Sequence, residues 1–225
     1  MALAGEPPHR LVGLLLISTL TVVLVVCTGK TIASVPPSPA ALPTPARQDA
    51  REVSLQIGDL PPTLVLCPES GEINHYLQLL QAGGSPSYEV TANEWTSLRE
   101  SGAEAGWVSS FTQNPADCDA RLGERQSASA VSYAIRFKTT AAATGAFKAG
   151  FLGLRPAPGL VLPGLTEGER TTLGPDSWVY DQTAQSPSVW VAYWARRDFV
   201  LFLFAEHLTP SVAQGAATGM DQRVR

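Results

Sequence analysis

The chain has 225 residues, 44% hydrophobic and 16% charged, with 16 Lys and Arg against 20 Asp and Glu for a net charge of −4. That length suits one sizeable domain or two small ones. The acidic balance leaves no electrostatic footprint for nucleic acid, and 19 glycines with 18 prolines exclude both a collagen-like and a wholly low-complexity chain. Arg greatly outnumbers Lys and Ala is abundant, a composition that fits a GC-rich bacterial genome.

Residues 1–10 read as a short cytoplasmic tail. Leu11 to Cys27, LVGLLLISTLTVVLVVC, is a run without charge. At ~1.5 Å per residue it spans ~25 Å, near the lower limit for a membrane helix. The segment 11–29 is read as a transmembrane signal anchor, the chain's contact with the membrane; a cleaved signal is the alternative. Val26 before Cys27 is too large for a lipobox, which speaks against lipidation. Residues 30–52 form a Pro/Ala-rich linker. Five prolines between Ser34 and Arg47 favour an extended spacer. Residues 53–225 are then one extracytoplasmic α+β domain, outside a bacterial cell membrane.

Within that domain, Thr63–Leu66 predicts a short strand. Glu72–Gln81 carries Ile73, Tyr76, Leu77 and Leu80 at helical spacing, with Gly83-Gly84 as its stop. Tyr88–Val90 reads as a weak strand. Thr91 precedes Glu94 by three residues, a capping-box pattern. It predicts a helix that places Trp95 and Leu98 on one side and ends at Gly102. Gly106–Phe111 and Val131–Phe137 are strands, the second with clean alternation of Val131, Tyr133, Ile135 and Phe137. Thr140–Gly150 is a helix with Phe147 and Phe151 on its buried side. Leu160–Leu162 and Ser177–Tyr180 are short strand candidates. Val189–Ala195 and Phe199–Ala205 predict a hairpin about Arg196-Arg197-Asp198, apolar on both faces and therefore central in an antiparallel sheet. Thr209-Pro210 starts a last helix with Val212, Ala216, Met220 and Val224 on one stripe. The predicted fold class is α+β: a single domain with an antiparallel sheet packed by helices.

The domain holds two cysteines, Cys67 and Cys118. In an exported domain they suggest one disulfide closing a 52-residue loop, worth ~4 kcal/mol by chain entropy. Two buried free thiols are the alternative.

The motifs "EWTSLRESGAEAG" from Glu94, "WVSSF", "VSYAIRF" and "AYWARRDFVLFLFAEHLTP" resemble uncharacterised bacterial exported α+β proteins. In outline the ectodomain is also similar to PsbP/Mog1-like, LpqN-type domains. The resemblance implies fold and location, and carries over no functional residue.

Chemistry-bearing motifs are sparse. No GxSxG, HExxH, Walker A loop or GxGxxG is present. Glu72 and His75 share a helix spacing but lack the further ligands of a metal centre, and His207 lies between the last strand and helix. No metal and no cofactor are expected. Asp117 and Asp119 read as turn residues beside a cysteine. Arg121–Arg155 holds six basic residues and one acid, a candidate surface for an envelope partner. Trp190, Trp194, Phe202 and Phe204 are the candidate apolar ligand-binding residues, if the hairpin borders a pocket rather than a solid core. The expected function is a membrane-anchored extracytoplasmic binding module for an apolar ligand or a cell-envelope protein, without catalysis. A structural or assembly protein of the envelope is the alternative, and an unrecognised hydrolase a third.

Overall fold

The computed structural model describes residues 47–153 and 161–225. In chain order its elements are α1 (Ala50–Val53), β1 (Val65–Leu66), β2 (Gly71–Glu72), α2 (Ile73–Ala82), α3 (Tyr88–Glu100), β3 (Ala103–Thr112), β4 (Ser129–Phe137), α4 (Thr140–Ala149), β5 (Leu165–Glu167), β6 (Ser177–Asp181), β7 (Val189–Arg196), β8 (Phe199–Glu206) and α5 (Pro210–Arg223). The predicted tail 1–10, membrane segment 11–29 and linker residues 30–46 lie outside the described residues, as do Arg155 and Leu160. Among the described residues no helix is long and apolar enough to cross a membrane.

The strands form one eight-stranded sheet in the order β1-β3-β4-β8-β7-β6-β5, with β2 also paired to β3, and every pairing is antiparallel. The β7–β8 hairpin is central, as its two-sided apolarity predicts. Its strands pair from Val189↔Glu206 to Arg196↔Phe199, leaving Arg197-Asp198 as the turn, and Arg197 takes φ 52 there.

Because side chains alternate across a strand, apolar residues at successive positions feed two cores. On one face Trp190, Ala192, Trp194, Phe199, Leu201 and Leu203 pack with α5 through Ala213, Ala216, Ala217 and Met220, and with α1 through Ala50 and Val53. On the other face Val131, Tyr133, Ile135, Phe137, Val191, Tyr193 and Phe202 pack with Ile73 of α2, Trp95 and Leu98 of α3, and Ala143 and Ala146 of α4. The result is an α+β domain with helices on both faces of an antiparallel sheet. Both cores are built from residues between Ala50 and Val224, so the compact unit Pro45–Arg225 contains its own hydrophobic interior.

The fold reaches further toward the N-terminus than the expected start at Val53. Asp49 caps α1 by accepting from Arg51 N at 2.8 Å, and Ala50 is buried. Gln48 donates to Arg223 O at 2.6 Å and accepts from Arg225 N at 3.0 Å, tying this segment to the C-terminus. Arg47 pairs with Glu104 and with Asp198.

Tyr88–Val90, expected as a strand, is instead the first turn of α3. The Thr91 hydroxyl donates to Ser87 O at 2.8 Å inside the helix, so Thr91 does not cap it. Val161 and Leu162 are exposed and outside any strand, and the sheet edge is Leu165–Glu167.

Candidate functional site: a pocket beside the disulfide

The α2–α3 pair is positioned by its own turn chemistry. Gly84 adopts φ 63, Ser85 N donates to Leu80 O at 2.8 Å and Gly84 N to Gln81 O at 3.1 Å, the paired bonds of a Schellman stop. Trp95 Nε1 donates to Asn74 Oδ1 at 3.1 Å and joins the two helices. Gly106 allows α2 close to the sheet: a Cβ there would lie 3.1 Å from Ile73 Cγ2 and 3.4 Å from Trp95.

Opposite this pair lies the loop from Gln113 to Ala128, which links β3 to β4. Cys118 in the loop is bonded to Cys67, with the Cα atoms 5.6 Å apart. Cys67 N donates to Ser110 O at 2.8 Å, which fixes the other end of the bridge against β3. Asp117 is buried and accepts from Ser127 N at 2.8 Å and from the Ser127 hydroxyl at 2.5 Å. The Ser127 hydroxyl, more than its backbone contacts, holds the Asp117 carboxyl below its ordinary range.

Arg125 lies near the end of the loop and is 5% exposed. Its backbone N donates to Glu206 Oε1 at 3.3 Å, and its carbonyl meets His207 Nε2 at 3.0 Å. A carbonyl only accepts, so Nε2 carries the proton in this contact. The guanidinium donates through Nη2 to Ser110 Oγ at 3.1 Å and Cys118 O at 3.3 Å, and through Nε to Ala120 O at 3.4 Å. Its Nη1 is buried without a partner, and so is Glu69 Oε1. Burial raises the carboxyl pKa of both Glu69 and Glu206, with the Arg125 charge opposing the shift in each.

Between the helix pair and this loop lies a pocket of about 640 Å³, within the ~300–1,000 Å³ range of small-molecule sites. Leu79, Leu80, Val90, Leu122 and Leu152 are among its apolar lining, and its polar groups include Glu69, Asp119, Arg121, Arg125, Tyr76, Tyr133, Ser85 and Ser87. Leu79 and Val90 are 38% and 60% exposed. Tyr133 donates to the Tyr76 hydroxyl at 3.5 Å. Burial drives both phenols above their ordinary pKa, so both remain protonated at neutral pH.

Trp190, Trp194, Phe202 and Phe204 do not line this pocket. Trp190 and Trp194 belong to the core beneath α5, Phe202 to the opposite core, and Phe204 packs at that second core's margin. The alternation of the strands separates the tryptophans from the phenylalanines, so the four share no cavity wall. Trp194 Nε1 donates to Asp221 Oδ1 at 3.1 Å, a tie to α5.

The basic run also disperses. Arg125 is buried, Arg121 pairs with Glu124 at 3.8 Å, and Arg136, near the far end of β4, donates to Gln48 O at 2.7 Å. Glu72 caps α2 by accepting from Asn74 N at 3.0 Å and His75 N at 3.4 Å, while the His75 side chain is exposed. Cys67, Glu69 and Cys118 bring three potential ligand atoms within 4.8 Å of one another. The sulfurs are bonded to each other, which removes the thiolates a metal would need.

The pocket residues carry little signal in sequence. Arg125 reads as one of several surface bases, and Glu69 as part of a polar turn. The clearest available clue is the interval between Gly83-Gly84 and Trp95, where a helix–turn–helix reading in place of a strand would have brought Leu79 and Val90 together. No protein-family model, curated protein or solved structure matches the chain.

Proposed function

We propose that this chain is a membrane-anchored extracytoplasmic module that binds a small, largely apolar molecule in the pocket between α2–α3 and the disulfide loop. The observation that carries the reading is the combination, in one concavity of about 640 Å³, of an apolar lining and a buried arginine with an unpartnered donor. Binding sites are built this way: apolar walls for affinity and a few placed polar groups for orientation.

The disulfide fits an oxidising, extracytoplasmic compartment. The uncharged run from Leu11 to Cys27 supports the anchor, and the outline resemblance to PsbP/Mog1-like domains supports the same location. Binding without catalysis is favoured because His75 and His207 do not line the pocket, leaving its serines without the imidazole base of the familiar triads.

Thermal-shift screening of the Pro45–Arg225 fragment against small apolar molecules tests the reading. A ligand that binds only the folded state raises the melting temperature. Expected is a shift that Val90→Asp diminishes and Trp194→Phe does not. A shift unaffected at Val90 but lost on substitution beneath α5 would move the site to the other face and overturn the reading.

A further inference from the structure

We propose that the occupant of this pocket is an apolar monocarboxylate, with its acid group at Arg125 and its apolar body along Leu79, Leu80 and Val90. This rests on the reading of the pocket as a ligand site and adds the chemical class that fills it. The starting point is the state of the guanidinium. A buried arginine is ordinarily paired with a carboxylate. Here the partners are a hydroxyl and two carbonyls, and among the described residues no carboxylate oxygen lies within 4.0 Å of the guanidinium.

The neighbouring acids do not supply the missing partner. Glu206 directs Oε1 to the backbone N of Arg125, and Ser129 Oγ donates to its Oε2 at 3.4 Å. Glu69 and Asp119 line the pocket but neither forms an ion pair with the arginine within that distance, and burial shifts the Glu69 carboxyl toward the neutral form. A ligand carboxylate at the pocket wall meets the positive charge of Arg125, and a small turn of the guanidinium brings the enclosed, unpartnered Nη1 to it, an interaction with the strength of a charge-assisted bond.

The apolar wall selects what else the ligand carries. Leu79 and Val90 are large hydrophobic side chains left exposed at the pocket. A small inorganic anion leaves that surface in water, whereas a neutral amphiphile offers Arg125 an acceptor but no negative charge to meet the guanidinium. A molecule with one carboxylate and an apolar body satisfies both.

Titration calorimetry of the Pro45–Arg225 fragment with decanoate and with 1-decanol separates the two claims. Decanoate is expected to bind at least about tenfold more tightly, the increment of one charged hydrogen bond. Arg125→Met is expected to erase that preference. Because Arg125 also holds the loop carbonyls, Val90→Asp provides a second variant distant from the loop, expected to weaken decanoate about tenfold or more. Equal affinity for decanoate and decanol would overturn the carboxylate assignment while leaving the pocket as a binding site. Binding of neither probe would overturn the assignment and count against the pocket reading as well. A decanoate preference that persists in folded Arg125→Met would exclude Arg125 as its recognition group.

Discussion

Burying carboxyl groups fixes how this protein should respond to acid. Glu69, Glu94 and Glu206 have pKa values raised above 4.5, and Asp221 above 3.8, with desolvation the largest cause in each. The folded state therefore holds protons that the unfolded chain releases. Stability from these groups is fully present below their unfolded values and is lost as pH rises through their raised folded values. Asp117 works in the opposite sense: its contribution is present above 3.8 and fades as pH falls through its depressed folded value. Above the ordinary value of Asp117 only the raised groups contribute a slope, so the melting temperature should rise as pH falls from neutral toward the ordinary carboxyl values. Glu206→Gln keeps an acceptor for Arg125 N while removing the buried charge. It should flatten that pH dependence and melt no lower than the parent at pH 7. Calorimetric scans of both proteins check this, and a parent that loses stability steadily from pH 7 to 5 would contradict it.

At the scale of elements, the disulfide and the glycine contact determine whether the pocket keeps its shape. The bridge joins residues 51 positions apart, and chain entropy for such a loop is ~4 kcal/mol. The Cys67→Ser/Cys118→Ser pair should accordingly lose ~2–4 kcal/mol in urea unfolding and weaken ligand binding, because Cys118 and the residues from Asp119 to Leu122 line the pocket. Gly106→Val tests the other wall. Its new Cβ would press on Ile73 and Trp95, and overpacking of this kind costs ~1–3 kcal/mol. Urea midpoints measure that loss; an unchanged midpoint would mean that α2 moves away freely.

Legibility in the sequence follows the same elements. Val131–Phe137 is readable from its period-2 alternation, and the Val189–Ala205 hairpin from two short apolar, β-prone runs about the polar Arg196-Arg197-Asp198 turn. Thr209-Pro210 was readable because a capping hydroxyl and a proline at the first helical position are local chemistry: Thr209 Oγ1 accepts from Val212 N at 3.4 Å. Tyr88–Val90 was not, since a short run of β-prone residues has the same pattern in a strand and in a helix turn. Tertiary packing decides between them. The pocket was illegible for a related reason: it joins residues from the β2 approach, two helices and a loop, and Arg125 is buried only through contacts made far along the chain with Ser110, Glu206 and His207.

For the whole molecule, helices on both faces of the sheet turn the hairpin's aromatic residues into core, and the pocket lies beside the disulfide. Trp194 is fully buried beneath α5, and removal of such a side chain costs ~3–5 kcal/mol. Trp194→Ala should show that loss in chemical unfolding, yet bind ligand with unchanged affinity wherever the protein remains folded. The central claim is the location of binding, and amide chemical-shift mapping of the Pro45–Arg225 fragment during decanoate titration tests it most directly. The account predicts saturable shifts concentrated at Leu79, Leu80, Val90, Leu122 and Arg125, with Trp190, Trp194 and Met220 unmoved. Saturable shifts concentrated on the α5 face, or none at any residue around the pocket, would contradict it.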